Sequence, residues 1–394
     1  MRILFFLQTL GVGGVERQVS LLADHLIRRG HHVGIAALHT LDENWRWFWD
    51  PGSMPVELFL SEKPGNALSA GSQFVEAALK LRSLLKRENI QLVYSAQGPV
   101  SNCLAWLGTR GQPEIKLVWS VRSSGAGPIS YHNGWKDVLL SNMCRHVSGS
   151  IPLTISISEA GLFDRRARGW KCLKGVVIHN GIDVSEFRSD PEERVRVRAE
   201  WGIRENERLI GLVGRLAPVK GHPTFLRAAA LLSREQTDVR FVCVGDGPQP
   251  YPNQLKKLST ELDLTGRLLW AGNRKDMRAV YNALDIVCSP SYSEGFNNVI
   301  AEAMACGVPC VVTDTGDPVN IVGDIGVTVP PGNTAALVHG VNSMLDTLRQ
   351  INPQLLRDRI AERFGVETMV DATERELLAV CRGSESVPDR GGIT

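Results

Sequence analysis

The stretch MRILFFLQTLGVGGVERQVSLLADHLIRRG (Met1–Gly30) decides how the chain is read. Its apolar run Arg2–Leu7 predicts a buried strand. Val15, Val19, Leu22 and Leu26 then fall on one helical face, and Gly30 ends the helix. A strand, a glycine-rich turn and a helix in that order open a parallel α/β sheet. The glycines let the backbone approach a ligand closely, and the amino end of the helix favours negative charge. A dinucleotide fingerprint would need a third glycine where Glu16 stands, which disfavours a nicotinamide cofactor. Taken alone, Gly13 and Gly14 equally describe a tight structural turn.

The pattern repeats outward. Strands are predicted at Val33–Leu38, Ile90–Tyr94, Lys116–Val121, Leu153–Ile157 and Val176–His179, with a helix at Phe74–Leu85. The alternation restarts after the charged stretch NGIDVSEFRSDPEERVRVRAEWGIRENE, read as a domain boundary. Strands follow at Arg208–Val213, Val239–Val244, Leu268–Trp270, Asp285–Cys288 and Cys310–Thr313, with a helix at Pro223–Leu232. Helices at Thr334–Leu348, Gln354–Phe364 and Val366–Val380 close the chain before a tail expected to be disordered. The expected architecture is α/β: two doubly wound, Rossmann-like parallel-sheet domains facing across a cleft. They cover residues 1–188 and 189–365, with 366–394 as a C-terminal helix and tail. Ligands of such sheets sit at the carboxyl ends of the strands.

Composition excludes several classes. The 394 residues carry 44 Lys+Arg against 42 Asp+Glu, too balanced for a nucleic-acid binder. Residues 1–190 hold 21 cations and 16 anions, and a mildly basic half suits an anionic partner or a membrane surface, as chance surface composition also would. The eight cysteines form no Cys-x-x-Cys pair, so buried free thiols are expected and a zinc site is not. No run reaches the roughly 18 apolar residues of a membrane span. The expectation is a cytoplasmic protein whose membrane contact, if any, is peripheral on the inner face.

Four motifs carry the chemistry. In VGRLAPVKGHPTF, Arg215 and Lys220 follow a strand and precede a helix, giving a planar fork and a point charge that can clamp a phosphate. As a lone segment it also reads as a solvated basic loop. CVGDGPQP makes a tight turn in which Asp246 is a turn or capping residue. In PSYSEGFNNVIAEAMACGVPCV, Glu294 precedes a helix predicted at Val299–Ala305, and Glu302 lies about one turn inside it. Gly295, Phe296, Asn297, Asn298 and Val299 present amides at that helix start, suited to phosphate or sugar oxygens. A glycosidase pair must flank one scissile bond. One carboxylate on a loop and one in a helix better fit a single extended ligand held at two places.

Together, Gly13-Gly14-Val15-Glu16, ISISE (Ile155–Glu159), Asn180-Gly181-Ile182-Asp183, Gly214-Arg215 with Lys220, Gly245-Asp246-Gly247-Pro248 and Glu294 through Glu302 resemble glycosyltransferase family 4. These are retaining enzymes of the GT-B fold that use nucleotide sugars. The resemblance covers nearly the whole chain and is stronger in its second half. It implies that Arg215 and Lys220 hold the donor diphosphate, that Glu302 accepts the ribose hydroxyls, and that Glu294 binds the transferred sugar. The amides of Phe296–Val299 would contact sugar and phosphate. Gly13 and Gly14 would close on the diphosphate, and backbone near Asn273 and Arg274 would pass the nucleobase. It further implies no metal and no cofactor, with a UDP- or GDP-sugar as co-substrate. The acceptor would be a glycan or a lipid-linked molecule in cell-surface glycan synthesis. Two rival readings are a nucleotide-sugar epimerase of the same fold and a non-catalytic sugar-nucleotide-binding subunit.

One departure concerns the acceptor side. Many family members carry a histidine where Arg122 stands here, and arginine cannot serve as a neutral base, though it can bind phosphate or sugar. His132 is a conceivable substitute. The aromatic cluster Trp45–Trp49 could seat an acceptor or touch lipid, or pack on its own domain. The basic run FDRRARGWKCLK could meet anionic lipid or form a solvated helix face.

Overall fold

A computed structural model describes residues 1–11, 13–40, 56–59, 67–122 and 135–383. The Trp45–Trp49 cluster, His132 and the expected disordered tail after Gly383 lie outside the described residues. The first half runs β1 (Arg2–Leu10), α1 (Gly14–Arg28), β2 (His32–Thr40), β3 (Val56–Leu58), α2 (Ala67–Arg87), β4 (Leu92–Ser95), α3 (Pro99–Thr109), β5 (Lys116–Val121), α4 (Trp135–Val147), β6 (Leu153–Ser156), α5 (Glu159–Ala167) and β7 (Gly175–Val177). Its strands form one parallel sheet in the order β3-β2-β1-β4-β5-β6-β7. Phe5 pairs with Ile35 on one side and Tyr94 on the other. Such strands, buried on both faces, are near-continuous apolar runs, which is why β1 was readable from composition alone.

The second half runs α6 (Pro191–Glu200), β8 (Arg208–Val213), α7 (His222–Glu235), β9 (Val239–Val244), α8 (Tyr251–Glu261), β10 (Leu268–Gly272), α9 (Met277–Ala283), β11 (Ile286–Ser289), α10 (Asn298–Ala305), β12 (Cys310–Thr313), α11 (Asp317–Val322), β13 (Val327–Val329), α12 (Thr334–Thr347), α13 (Pro353–Phe364) and α14 (Val366–Arg382). The sheet order is β10-β9-β8-β11-β12-β13, again parallel. Chain order reverses between β8 and β11, so the loops that follow these two strands become neighbours. Each sheet has its own apolar core, one around Phe6, Leu81 and Trp119 and the other around Phe225, Phe241 and Ile286.

The chain divides into two compact units. One holds the described residues up to Gly181 and those from Glu367 onward; the other holds Ile182–Val366. This differs from the sequence-based division at residue 188 and from a separate segment at 366–394, for two physical reasons. The charged stretch read as a boundary is folded into the second unit. Asp190 caps α6 by accepting from the Glu193 amide at 3.2 Å, and Pro191 starts the helix. Arg194 and Arg198 then reach the buried Asp285, at 2.8 and 3.1 Å. Removing one partner of so buried an ion pair costs about 3–5 kcal/mol, so these charges are structural anchors.

The second reason is α14. It belongs to the first unit, where Glu374 meets Arg29 at 2.7 Å and His31 at 2.6 Å, and Asp371 meets Arg29 at 2.6 Å. Beneath that polar clasp, Met369, Val370 and Leu377 are buried. The return point is fixed within the second unit by Ile182, whose amide donates to the Phe364 carbonyl at 2.8 Å.

Candidate functional site

The carboxyl edge of the second sheet gathers the residues singled out in its sequence. β8 ends at Val213, and Gly214 turns the chain at φ +152° into Arg215. A 3-10 turn over Pro218–Lys220 follows, closed by Gly221 in the left-handed region at φ +70°. The side-chain space of Gly221 is taken: a Cβ there would lie 1.9 Å from the Pro290 carbonyl oxygen. The loops after β8 and β11 are therefore in backbone contact, and the Tyr292 amide donates to the Val219 carbonyl at 2.8 Å. Gly245, after β9, is similarly confined. Its Cβ would fall 2.1 Å from the Gly214 carbonyl oxygen.

This stitching brings two charges together. Lys220 Nζ donates to Glu294 Oε1 at 2.6 Å, with both side chains largely covered. Ser291 Oγ donates to the same carboxylate oxygen at 2.6 Å. Arg215, on the same loop as Lys220, is exposed and has no hydrogen-bond or ion-pair partner among the described residues. Asn297 occupies the position before α10 but does not cap it. Its amide nitrogen donates instead to Ser289 Oγ at 2.8 Å. Thr313, at the end of β12, donates to the carbonyls of Ser289 and Ser291 at 3.2 and 2.5 Å. Phe296 is buried and stacks near Phe364, fixing the chain just before the helix.

Glu302 lies on α10 and is only 6% exposed, so it is no surface carboxylate. The Tyr281 hydroxyl, from α9, donates to Glu302 Oε2 at 2.7 Å. His222, the first residue of α7, has no exposed surface. Burial pushes its pKa down to about 4, and the Lys220 charge adds to the shift, so the imidazole is neutral near pH 7.

Asn273 is exposed just beyond β10. Arg274 is spent on structure: its guanidinium bonds Asp276 at 2.8 and 2.9 Å and also grips Glu200. The Arg274 guanidinium is thus committed, while the Asn273 side chain is exposed.

The first unit holds the remaining candidates at its own carboxyl edge. Gly13 precedes α1, and a Cβ there would come 2.5 Å from Glu16 Oε2. Gly14 is exposed at the start of the helix. Glu16 is buried and accepts from Gln97 Nε2 at 2.8 Å. Desolvation raises its pKa above the ordinary carboxylate value. Gln97 also accepts from the Thr9 amide at 2.9 Å, tying the loop after β4 to β1. Arg122 follows β5 directly, and its Nη1 donates to Asn180 Oδ1 at 2.8 Å. Gln18 bonds the Gly181 backbone through both ends of its amide, at 2.9 and 3.0 Å.

Sequence reading missed Ser289, Ser291, Tyr281, Thr313, Gln97 and Asn180's link to Arg122. The two serines flank Pro290 beside Glu294 and could have been found as polar residues at a strand end. Tyr281 precedes Glu302 by 21 positions and carries no local signal.

All eight cysteines are free thiols, seven of them buried. Among the described residues no group of three His, Cys, Asp or Glu side chains could hold a metal ion, and no helix is long and apolar enough to cross a membrane.

Comparison with known proteins gives a consistent picture. The model for Glycosyltransferase Family 4 matches residues 12–186, and that for Glycosyl transferases group 1 matches residues 207–347. D-inositol 3-phosphate glycosyltransferase of Mycobacterium sp. (strain KMS) is 33% identical over 225 residues, which is 54% of this chain and 48% of that one. The match thus spans about half the length of that relative. Anabaena HepE, solved with UDP and glucose, superposes with a TM-score of 0.81 at 22% identity, over 96% of this chain and all of that one. Sucrose-phosphate synthase from Thermosynechococcus elongatus gives 0.81 at 18% identity, over 98% and 100%. Two doubly wound parallel sheets and two family models that together match most of the chain place this protein among the family-4-like glycosyltransferases of the GT-B fold.

Proposed function

We propose that the protein transfers a sugar, with retention of configuration, from a nucleotide-diphosphate sugar to a hydroxyl acceptor. The observation that carries this reading is the Lys220–Glu294 pair, 2.6 Å apart, with Glu294 on the loop that leads into the helix carrying the buried Glu302. A cation for phosphate, a carboxylate for sugar hydroxyls and a second carboxylate for a diol are the parts an extended sugar nucleotide needs. Arg215 and Lys220 bind the diphosphate and take up the charge that develops on it as it leaves. Glu294 holds the transferred sugar, and the amides of Gly295 through Val299 receive sugar and phosphate oxygens. Glu302 accepts from the ribose hydroxyls. The C1–O bond to the diphosphate breaks, the acceptor oxygen bonds C1 on the same face, and its proton passes to the departing phosphate oxygen. HepE, solved with UDP and glucose, supports a donor of this class.

The donor is a UDP- or GDP-sugar, and the acceptor a glycan or lipid-linked molecule in cell-surface glycan synthesis. Arg122, held by Asn180, serves the acceptor or phosphate side as a binding cation. The two cations make a divalent metal unnecessary, so EDTA leaves the rate unchanged. A loss restored by Mg²⁺ contradicts this. The decisive screen is a thermal-shift series with nucleotide sugars, in which the true donor raises the transition most. No shift with any nucleotide contradicts the donor site. Product stereochemistry then tests retention: an inverted linkage from an α-linked donor rules it out.

The protein works on the cytoplasmic face of a membrane as a peripheral enzyme. Supporting this, Phe163 and Leu173 are 75% and 66% exposed among Arg166, Arg168 and Lys171, which are also exposed. Arg165 is excluded from that surface, since it lies over the Trp170 ring at 4.3 Å. Co-sedimentation with phosphatidylglycerol vesicles, lost in F163A/L173A, checks the reading; equal sedimentation of both proteins contradicts it.

A further inference from the structure

We propose that Tyr281 is a positioning residue that makes the donor site select ribose over deoxyribose, acting through Glu302. The inference rests on the reading of Glu302 as the ribose acceptor and adds the device that makes that acceptor selective. A ribose presents two adjacent hydroxyls, and a carboxylate can accept from both only if its plane is fixed. A glutamate has three rotatable side-chain bonds, so the plane is not fixed by the backbone. Here the hydroxyl of Tyr281 donates to Oε2 at 2.7 Å, the length of a charge-assisted bond.

The phenol is itself immobile. Tyr281 is 1% exposed, and its ring meets Phe187 edge-on at 6.0 Å and 60°. Tyrosine in place of phenylalanine at so buried a position needs a partner for its hydroxyl, and Glu302 supplies one. Glu302 itself is 6% exposed, so the bond from Tyr281 is made in a dry site, where a hydrogen bond is stronger than in water.

The test is calorimetric titration of the full chain with UDP, 2′-deoxy-UDP and 3′-deoxy-UDP, or with the corresponding guanosine diphosphates where UDP does not bind. The wild type should prefer the ribonucleotide by about 10- to 100-fold, the worth of hydrogen bonds to a charged group. E302A should abolish the preference. Y281F should reduce it to within about threefold while the chain still folds, as checked by circular dichroism. F187L loosens the same core but keeps the phenol, and it should retain the full preference.

Each outcome separates the claims. A wild type without preference, or an E302A protein that keeps it, overturns the ribose reading of Glu302 and the Tyr281 proposal with it. If E302A loses the preference and Y281F keeps it in full, the Tyr281 proposal alone fails. Loss in both Y281F and F187L shows that core packing, not the hydroxyl, is responsible, and also overturns it.

Discussion

The two carboxyl edges are built by different means. In the second unit, loops touch through backbone, Gly221 against the Pro290 carbonyl and Gly245 against that of Gly214, and side-chain bonds such as Lys220–Glu294 add to these contacts. In the first unit, loops are joined by side chains: Gln97 to Thr9 and Glu16, Gln18 to Gly181, Arg122 to Asn180. Backbone contacts tolerate no added atom, whereas side-chain ties can be exchanged one at a time. The edge proposed to hold the diphosphate and ribose is the one with backbone packed on backbone, and the edge proposed for the acceptor is joined through the side chains of Gln97, Gln18 and Arg122.

The sharpest way to break this comparison is Gly221→Ala. The new Cβ would strike a carbonyl at 1.9 Å in a left-handed conformation, so a backbone segment must move. A loss of about 3–5 kcal/mol is expected, enough to leave much of the protein unfolded, and urea denaturation reads it.

A smaller effect comes from His222. Unfolding returns its pKa to 6.5 from about 4, so the unfolded chain binds a proton that the folded chain refuses. Its contribution to stability is complete above about pH 6.5 and fades as pH falls towards 4, by about 3 kcal/mol in all. Denaturation midpoints between pH 7 and 4.5 should therefore fall less steeply in His222→Leu than in the wild type. Equal slopes would remove the buried neutral imidazole from the account.

On the side-chain edge, Asn180→Ala removes the acceptor from Arg122 and should cost about 2 kcal/mol, the range for a bond to a charged group, with urea denaturation as the check. Gly13→Ala should do least. Its Cβ meets only the end of the Glu16 side chain, which must shift at the expense of its bond from Gln97, so a loss of about 1 kcal/mol is expected by thermal melting. A cost at Gly13 that matched the one at Gly221 would erase the distinction between the edges.

The fold was legible because buried parallel strands are written as unbroken apolar runs. β5, β8, β9 and β12 begin and end where the sequence predicts. β13 was not legible, since Val327–Val329 is short and only partly buried, and α6 was hidden by its own charge. What misled there is that Arg194 and Arg198 look like solvent-facing residues until Asp285, about 90 positions away, is placed beside them. The site was legible where its residues are close in sequence, as from Glu294 to Glu302. The pairing of Lys220 with Glu294 and of Tyr281 with Glu302 depends on the order reversal between β8 and β11 and on helix packing, and no local pattern encodes either.

The central claim is that the edge of the second sheet holds a nucleotide diphosphate through Arg215 and Lys220. Calorimetric titration of the wild type and of the R215A/K220A variant with the nucleotide sugar that gives the largest thermal shift tests it directly. Removing both cations takes two charge-assisted hydrogen bonds from the phosphates, so the affinity should fall by at least about 100-fold in a protein that remains folded. Unchanged affinity in the double variant would contradict the account.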